Sequence, residues 1–122
     1  MMYAYIDGDD IGLKIENSFM ENDEVRLKHV NELVKETVNK ITYELESNNY
    51  IIIFGGADGI ICKKEKIEVQ ELLFYLRGIT KELTFSIGVG MCLRDAFLAL
   101  RYAKSSGKDI GAIYQEEFTL FK

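Results

Sequence analysis

Short apolar runs broken by glycine and aspartate alternate with longer stretches whose apolar residues recur every three or four positions. Those are the two periods of strands and of amphipathic helices. Tyr3-Ala4-Tyr5-Ile6 reads as a strand that breaks into Asp7-Gly8-Asp9-Asp10, and Ile11 to Phe19 as a short helix or irregular turn. A long helix is expected from about Asn22, with Asn22 or Asp23 as its N-cap. Val30, Leu33, Val34, Val38, Ile41 and Leu45 form its apolar stripe, and Ser47-Asn48-Asn49 ends it. Tyr50 to Phe54 and Ile60 to Cys62 then read as two buried strands joined by the tight turn Gly55-Gly56-Ala57-Asp58-Gly59. After the polar connector Lys63 to Lys66, the residues Val69, Leu72, Leu73, Leu76 and Ile79 mark another amphipathic helix. Leu83 to Gly90 is a strand, Leu93 to Lys104 a further helix with Gly107 as its C-cap, and Ile110 to Tyr114 a last strand, to which Phe118 to Phe121 adds an edge pairing.

The order is β-α-β-β-α-β followed by α-β. The first six elements predict a split βαβ, ferredoxin-like arrangement in which the first and third strands are central neighbours. The fold class expected is therefore α+β, one domain over residues 1–122, with a mainly antiparallel sheet, helices on one face and a C-terminal α-β extension. A chain of 122 residues is long enough for one core and too short for two. Its 48% hydrophobic content argues against disorder. No apolar run approaches the roughly 20 residues of a membrane span and no signal peptide is evident, so the expected location is the cytoplasm. Cys62 and Cys92 lie in apolar segments without metal spacing and read as reduced core residues. The net charge of −5 argues against a coat for long nucleic acid, but not against small nucleotides held by a metal and a few lysines.

Within this arrangement two carboxylates stand out. If the first and third strands are antiparallel neighbours, Asp7 at the exit of one and Asp58 at the entrance of the other meet at one end of the sheet. Two carboxylates that close repel each other unless a cation sits between them, and hard oxygen ligands favour Mg²⁺ or Mn²⁺. The helix after the fourth strand should bring Lys104 and Lys108 to the same end. Taken singly, each feature has a bland explanation. Asp7-Gly8-Asp9-Asp10 suits a solvated turn, the glycine-rich segment a plain hairpin, and the two lysines an ordinary helix C-terminus. The lone His29 has no second ligand at helical spacing and reads as a solvated or packed side chain.

Four segments together resemble the palm of the GGDEF-type nucleotidyl cyclases and of the CRISPR-associated type III polymerases. These are Tyr5-Ile6-Asp7-Gly8-Asp9-Asp10, Gly55-Gly56-Ala57-Asp58, Ser86-Ile87-Gly88-Val89 and Ala103-Lys104-Ser105-Ser106-Gly107-Lys108, in the family's order across nearly the whole chain. As a bare palm the chain is most similar to the minimal CRISPR polymerase (mCpol) group, associated with antiviral cyclic-nucleotide signalling. Ala57 departs from the GGDD or GGDEF pattern, whereas Asp58 keeps the metal-holding position. Ile15 and Glu16 stand where cyclic-di-GMP synthases carry the Asn-Asp pair that reads guanine, which disfavours guanine here. Glu46-Ser47-Asn48-Asn49 replaces the product-inhibition motif.

The resemblance implies attack of a ribose hydroxyl on the α-phosphate of a nucleoside triphosphate, ATP favoured, with release of pyrophosphate and two Mg²⁺ or Mn²⁺ ions per site. Asp7 and Asp58 are the implied catalytic and metal residues, with the Gly8 carbonyl and Asp9 as further ligands. Gly8, Asp9, Asp10, Ile11, Gly12, Gly55, Gly56 and Ala57 would line the nucleotide, and Lys104 and Lys108 would hold its β- and γ-phosphates. A homodimer with opposed active sites would yield a cyclic dinucleotide or small cyclic oligonucleotide, read by a separate effector protein. Two alternatives stand beside this reading: a degenerate palm that binds nucleotide or cyclic nucleotide without turnover, and a ferredoxin-like interaction module. A mononucleotide cyclase is a narrower option within the enzyme class.

Overall fold

Burial alternates along β1 (Met2–Gly8): Met2, Ala4, Ile6 and Gly8 are buried and Tyr3, Tyr5 and Asp7 half-buried, the period-2 signature of a strand with unlike faces. In the computed structural model, which describes residues 1–56 and 58–122, β1 lies at the centre of a six-stranded sheet of order β2-β3-β1-β4-β5-β6. The strands are β2 (Ile51–Gly55), β3 (Gly59–Lys64), β4 (Phe85–Gly90), β5 (Gly111–Gln115) and β6 (Glu117–Phe121). The helices are α1 (Ile11–Met20), α2 (Glu24–Ser47), α3 (Val69–Ile79) and α4 (Leu93–Ser105). β1 is antiparallel to both β3 and β4, as the split βαβ order predicts. β4 and β5 run parallel through the α4 crossover, and β6 closes the edge antiparallel to β5.

The core fills the face of the sheet that carries Ala4, Ile6, Ile60, Cys62, Ile87 and Val89, against Val34, Val38, Ile41 and Leu45 of α2 and Leu72, Leu73 and Leu76 of α3. Asp23 caps α2, its Oδ1 accepting the Arg26 N–H at 2.9 Å. The thiol of Cys62 lies in this core and burial pushes its pKa up to about 12. Both cysteines are free. His29 is exposed, 3.4 Å from a Glu82 oxygen. Among the described residues no helix is long and apolar enough to cross a membrane.

Three expectations need correction. Helices do not all lie on one face, because α4 packs on the side opposite α2 and α3. Gly88 and Gly90 of β4 admit its backbone so closely that a Cβ on Gly88 would stand 2.2 Å from the Leu100 nitrogen and 2.3 Å from the Ala96 oxygen. Ala96, Ala99 and Ala103 complete that contact, so β4 is buried on both faces. The hairpin is also not two buried strands. β3 is the inner strand, but β2 is the sheet edge, with Ile51, Ile53 and Phe54 at 54%, 44% and 59% exposure. Its register shifts between Ile52 and Phe54, as at a bulge, so a run of apolar residues here faces solvent at an edge. Finally, α4 ends at Ser105 with Ser106, not Gly107, as its C-cap, and Gly107 follows in the left-handed half of the map at φ 142°.

Gly88→Ala is expected to destabilise the fold by about 3 kcal/mol, since neither strand nor helix backbone can yield to the added methyl. Gly78→Ala, which meets nothing within 4 Å near the end of α3, should instead be neutral or gain up to about 1 kcal/mol from helix propensity. Urea unfolding of the two variants beside the parent checks the pair.

Candidate active site

The antiparallel register sets Asp7 opposite Gly59 of β3 and Ser86 of β4. One position further on, the Gly8 N–H donates to the Asp58 carbonyl at 3.0 Å, which ties the hairpin turn to the end of β1. The turn itself is closed by the Gly56 N–H donating to the Gly59 carbonyl at 2.9 Å. Asp7 and Asp58 therefore stand at the same end of the sheet. A Cβ on Gly8 would lie 2.1 Å from Ile11 Cδ1, the movable end of that side chain, so Ile11 packs directly over this position. Gly55 borders open space, and Gly56 lies under the Phe54 ring. Ala57 lies outside the described residues.

The last turn of α4 brings Lys104 to this end. Its Nζ donates to the Gly8 carbonyl at 2.9 Å and lies 3.2 Å from Asp7 Oδ2 and 3.3 Å from Asp9 Oδ1. Lys108, just beyond the helix, pairs with Asp10, whose backbone is left-handed at φ 57° where it starts α1. Asp9 behaves unlike its neighbours. Its side chain is only 4% exposed, and both oxygens are engaged. Oδ1 accepts from the Ser86 hydroxyl at 2.8 Å as well as from Lys104, and Oδ2 accepts from the Thr84 hydroxyl at 2.8 Å and the Asp109 N–H at 2.9 Å. The outward ligand position expected for Asp9 is thus at odds with the structure, because its lone pairs are turned inward and taken. Thr84, Ser86 and Asp109 are parts of the site that sequence reading missed. A hydroxyl in the fully buried strand β4 is the only local signal that could have pointed to one of them.

Ile11 and Gly12 of α1 lie with Asp58 on a cleft of about 560 Å³ between α1 and α2. Its walls are the aliphatic side chains of Ile11, Ile15, Leu27 and Val34, and Lys28, Asn31 and Lys35 stand around them. A second cleft, of about 470 Å³, opens between α2 and α3 around Tyr50, Lys64 and Tyr75 and includes neither Asp7 nor Asp58.

Burial raises the Asp7 pKa above the ordinary carboxylate value; the Lys104 ammonium opposes this, and the charges of Asp58 and Asp9 add to it. Burial and then the charges of Asp7 and Asp58 likewise raise Tyr5, two residues back on the same strand face. Among the described residues no three carboxylate, histidine or cysteine side chains gather as a metal cage. Two carboxylates and a carbonyl oxygen, from Asp7, Asp9 and Gly8, instead surround the one ammonium of Lys104. The raised pKa has a thermodynamic consequence. The folded state holds the Asp7 proton more tightly than the unfolded chain, so stability falls as pH rises from about 4 through the folded pKa of Asp7. Asp58→Asn removes one of the charges responsible. In metal-free buffer at neutral pH it should raise the thermal midpoint by a few degrees, on the order of 1 kcal/mol, and flatten that pH dependence. Calorimetry between pH 4 and 8 is the check, and a lower midpoint would contradict the electrostatic account.

Comparison with known proteins agrees with this fold. No curated protein sequence matches the chain. Among solved structures, the active GGEEF domain of a diguanylate cyclase from Vibrio cholerae superposes with a TM-score of 0.62 at 18% identity, covering 93% of this chain and 82% of that one. A diguanylate cyclase/phosphodiesterase from Caldicellulosiruptor saccharolyticus gives 0.63 at 14% identity, over 97% and 78% of the two chains. The adenylyl cyclase CyaB from P. aeruginosa gives 0.59 at 13%, over 94% and 76%. At these identities the likeness is one of fold. The sequence profile of the minimal CRISPR polymerase domain matches residues 3–114, from the first strand through the fifth, and the chain belongs to that family, mCpol.

Proposed function

We propose that the protein is a nucleotidyltransferase that joins nucleoside triphosphates, ATP by preference, into a cyclic dinucleotide or small cyclic oligonucleotide with release of pyrophosphate. The observation that carries this reading is the convergence of Asp7, Asp58, the Gly8 carbonyl and Lys104 on one end of the sheet. Asp7, Asp58 and the Gly8 carbonyl would hold two Mg²⁺ or Mn²⁺ ions, which when bound stabilise charge on the attacking and leaving oxygens. Asp9 serves as a positioning residue, holding the Lys104 stem and the end of β1 in register with β4. Lys104 and Lys108, both within reach of the β1–α1 turn, neutralise the β- and γ-phosphates of the bound triphosphate. Asp10 orients Lys108. Gly55 and Gly56, with open space beside Gly55, admit phosphate close to the backbone.

The cleft beside Asp58 suits the base. Aliphatic walls from α1 and α2 take the faces of a purine, and Ile15, in a position that would need a polar group to read guanine, supports adenine instead. The Asn31 amide, one helical turn before Lys35, can donate to and accept from an adenine edge. One palm orients one triphosphate, so ring closure calls for a second copy with its site opposed, that is, a homodimer. The product serves as a second messenger in antiviral defence and is read by a separate effector protein.

Incubation with each of the four triphosphates and Mg²⁺ or Mn²⁺, with products resolved by mass spectrometry, tests the reading. A metal-dependent cyclic product from ATP is expected, lost by about 10²–10³-fold, on the scale of a deleted transition-state electrostatic contact, in Asp58→Ala. Binding of ATP without any product would instead favour the degenerate, sensing palm. Neither binding nor turnover would leave the interaction module.

A further inference from the structure

The ammonium of Lys104 sits where a metal ion would be expected to sit. It contacts the Gly8 carbonyl at 2.9 Å and Asp7 Oδ2 at 3.2 Å, two of the three oxygens assigned above to the metal. A divalent ion and an ammonium compete for those oxygens, because like charges at such separations repel by an amount that rises as water is excluded. The remaining contact of the same nitrogen, with the buried Asp9 Oδ1 at 3.3 Å, lies outside that ligand set. Asp9 is fixed by Ser86, Thr84 and the Asp109 N–H, so it stays in place whatever the lysine does. Lys104 is also only half-buried, with its side chain 32% exposed, which leaves the four-carbon stem room to turn toward solvent.

We propose that Lys104 is the resident cation of the site and is exchanged for a divalent ion when substrate arrives. Resting on the nucleotidyltransferase reading, this assigns the lysine two positions. In the free protein it bridges Asp7, the Gly8 carbonyl and Asp9 and offsets the repulsion among the carboxylates. When a metal enters with a triphosphate, the lysine leaves Asp7 and Gly8 for the phosphates that the metal brings. Free metal alone would have to displace the ammonium without offering it a new partner, so it binds weakly. Metal and nucleotide therefore bind with positive coupling, each stronger in the presence of the other.

The test is Mn²⁺ binding followed by the electron paramagnetic resonance of the free ion, without nucleotide, in the parent, Lys104→Met, Lys104→Arg and Lys104→Met combined with Asp7→Asn. Lys104→Met should bind Mn²⁺ at least roughly tenfold more tightly than the parent, Lys104→Arg should not gain, and the double variant should lose the gain. Circular dichroism establishes that each variant is folded, and Lys104→Gln replaces Lys104→Met if the latter is not. Equal or weaker Mn²⁺ binding without the ammonium, or none in any variant, overturns the exchange. Product formation by the parent protein is a separate readout: turnover without a gain in Lys104→Met sinks the exchange alone, whereas a parent without turnover sinks the nucleotidyltransferase reading.

Discussion

One buried carboxylate organises the end of the sheet at which Asp7 and Asp58 stand. Asp9 receives donors from four places: the Thr84 hydroxyl before β4, the Ser86 hydroxyl within it, the backbone of Asp109 on the way to β5, and Lys104 near the end of α4. A hydrogen bond to an ionised group contributes about 1.5–3 kcal/mol when formed, and a buried charge left without partners costs more than that. The end of β1, the start of β4, the α4 terminus and the loop into β5 are consequently locked to one another. If Asp9 were a flexible surface acid, Lys104 would keep only Asp7 and the Gly8 carbonyl as partners, and the end of β1 would lose its side-chain ties to Thr84, Ser86 and Asp109.

That arrangement tolerates an electrostatic conflict beside it. Asp7 and Asp58 repel each other and Asp7 is partly desolvated, so the site is less stable than a neutral surface of the same shape would be. Asp7 sits on a strand paired on both sides, which denies it the simple relief of swinging the backbone outward. The conflict is held in check by Lys104, whose ammonium lies 3.2 Å from Asp7 Oδ2 and opposes the rise of its pKa.

Much of this was legible in the chain. The two hydrophobic periods locate the strands and helices, and the β-α-β-β-α-β order alone makes β1 and β3 antiparallel neighbours, which brings Asp7 and Asp58 to one end. What escaped has physical causes. Asp9 in Asp7-Gly8-Asp9-Asp10 looks like a solvated turn residue, because the groups that bury it are 75 to 100 positions away and leave no local pattern. The apolar run Ile51-Ile52-Ile53-Phe54 looks like a buried strand, because sequence periodicity does not distinguish an edge from a centre. The second helical layer could have been anticipated. Gly88 and Gly90, alternating on one strand face, and Ala96, Ala99 and Ala103, at helical spacing, are the small residues that let a helix lie directly on a sheet.

Topology explains why so few side chains are needed to assemble the site. β4 runs antiparallel to β1, so it begins at the end where β1 finishes, and a parallel β4-α4-β5 crossover must carry α4 back along the sheet to that same end. The C-terminus of α4 therefore arrives beside Asp7 whatever its surface sequence, provided that the strand beneath admits the helix backbone, which Gly88 and Gly90 ensure. A lysine in the last turn of α4 then suffices to reach the strand end, and it also suits the negative end of the helix dipole. Chains with 13–18% identity share this fold, as expected when position is set by strand order and backbone contact. What distinguishes one such chain from another is then free to lie in the few residues that the backbone delivers to the sheet end: here Asp7, Asp9, Asp58 and Lys104.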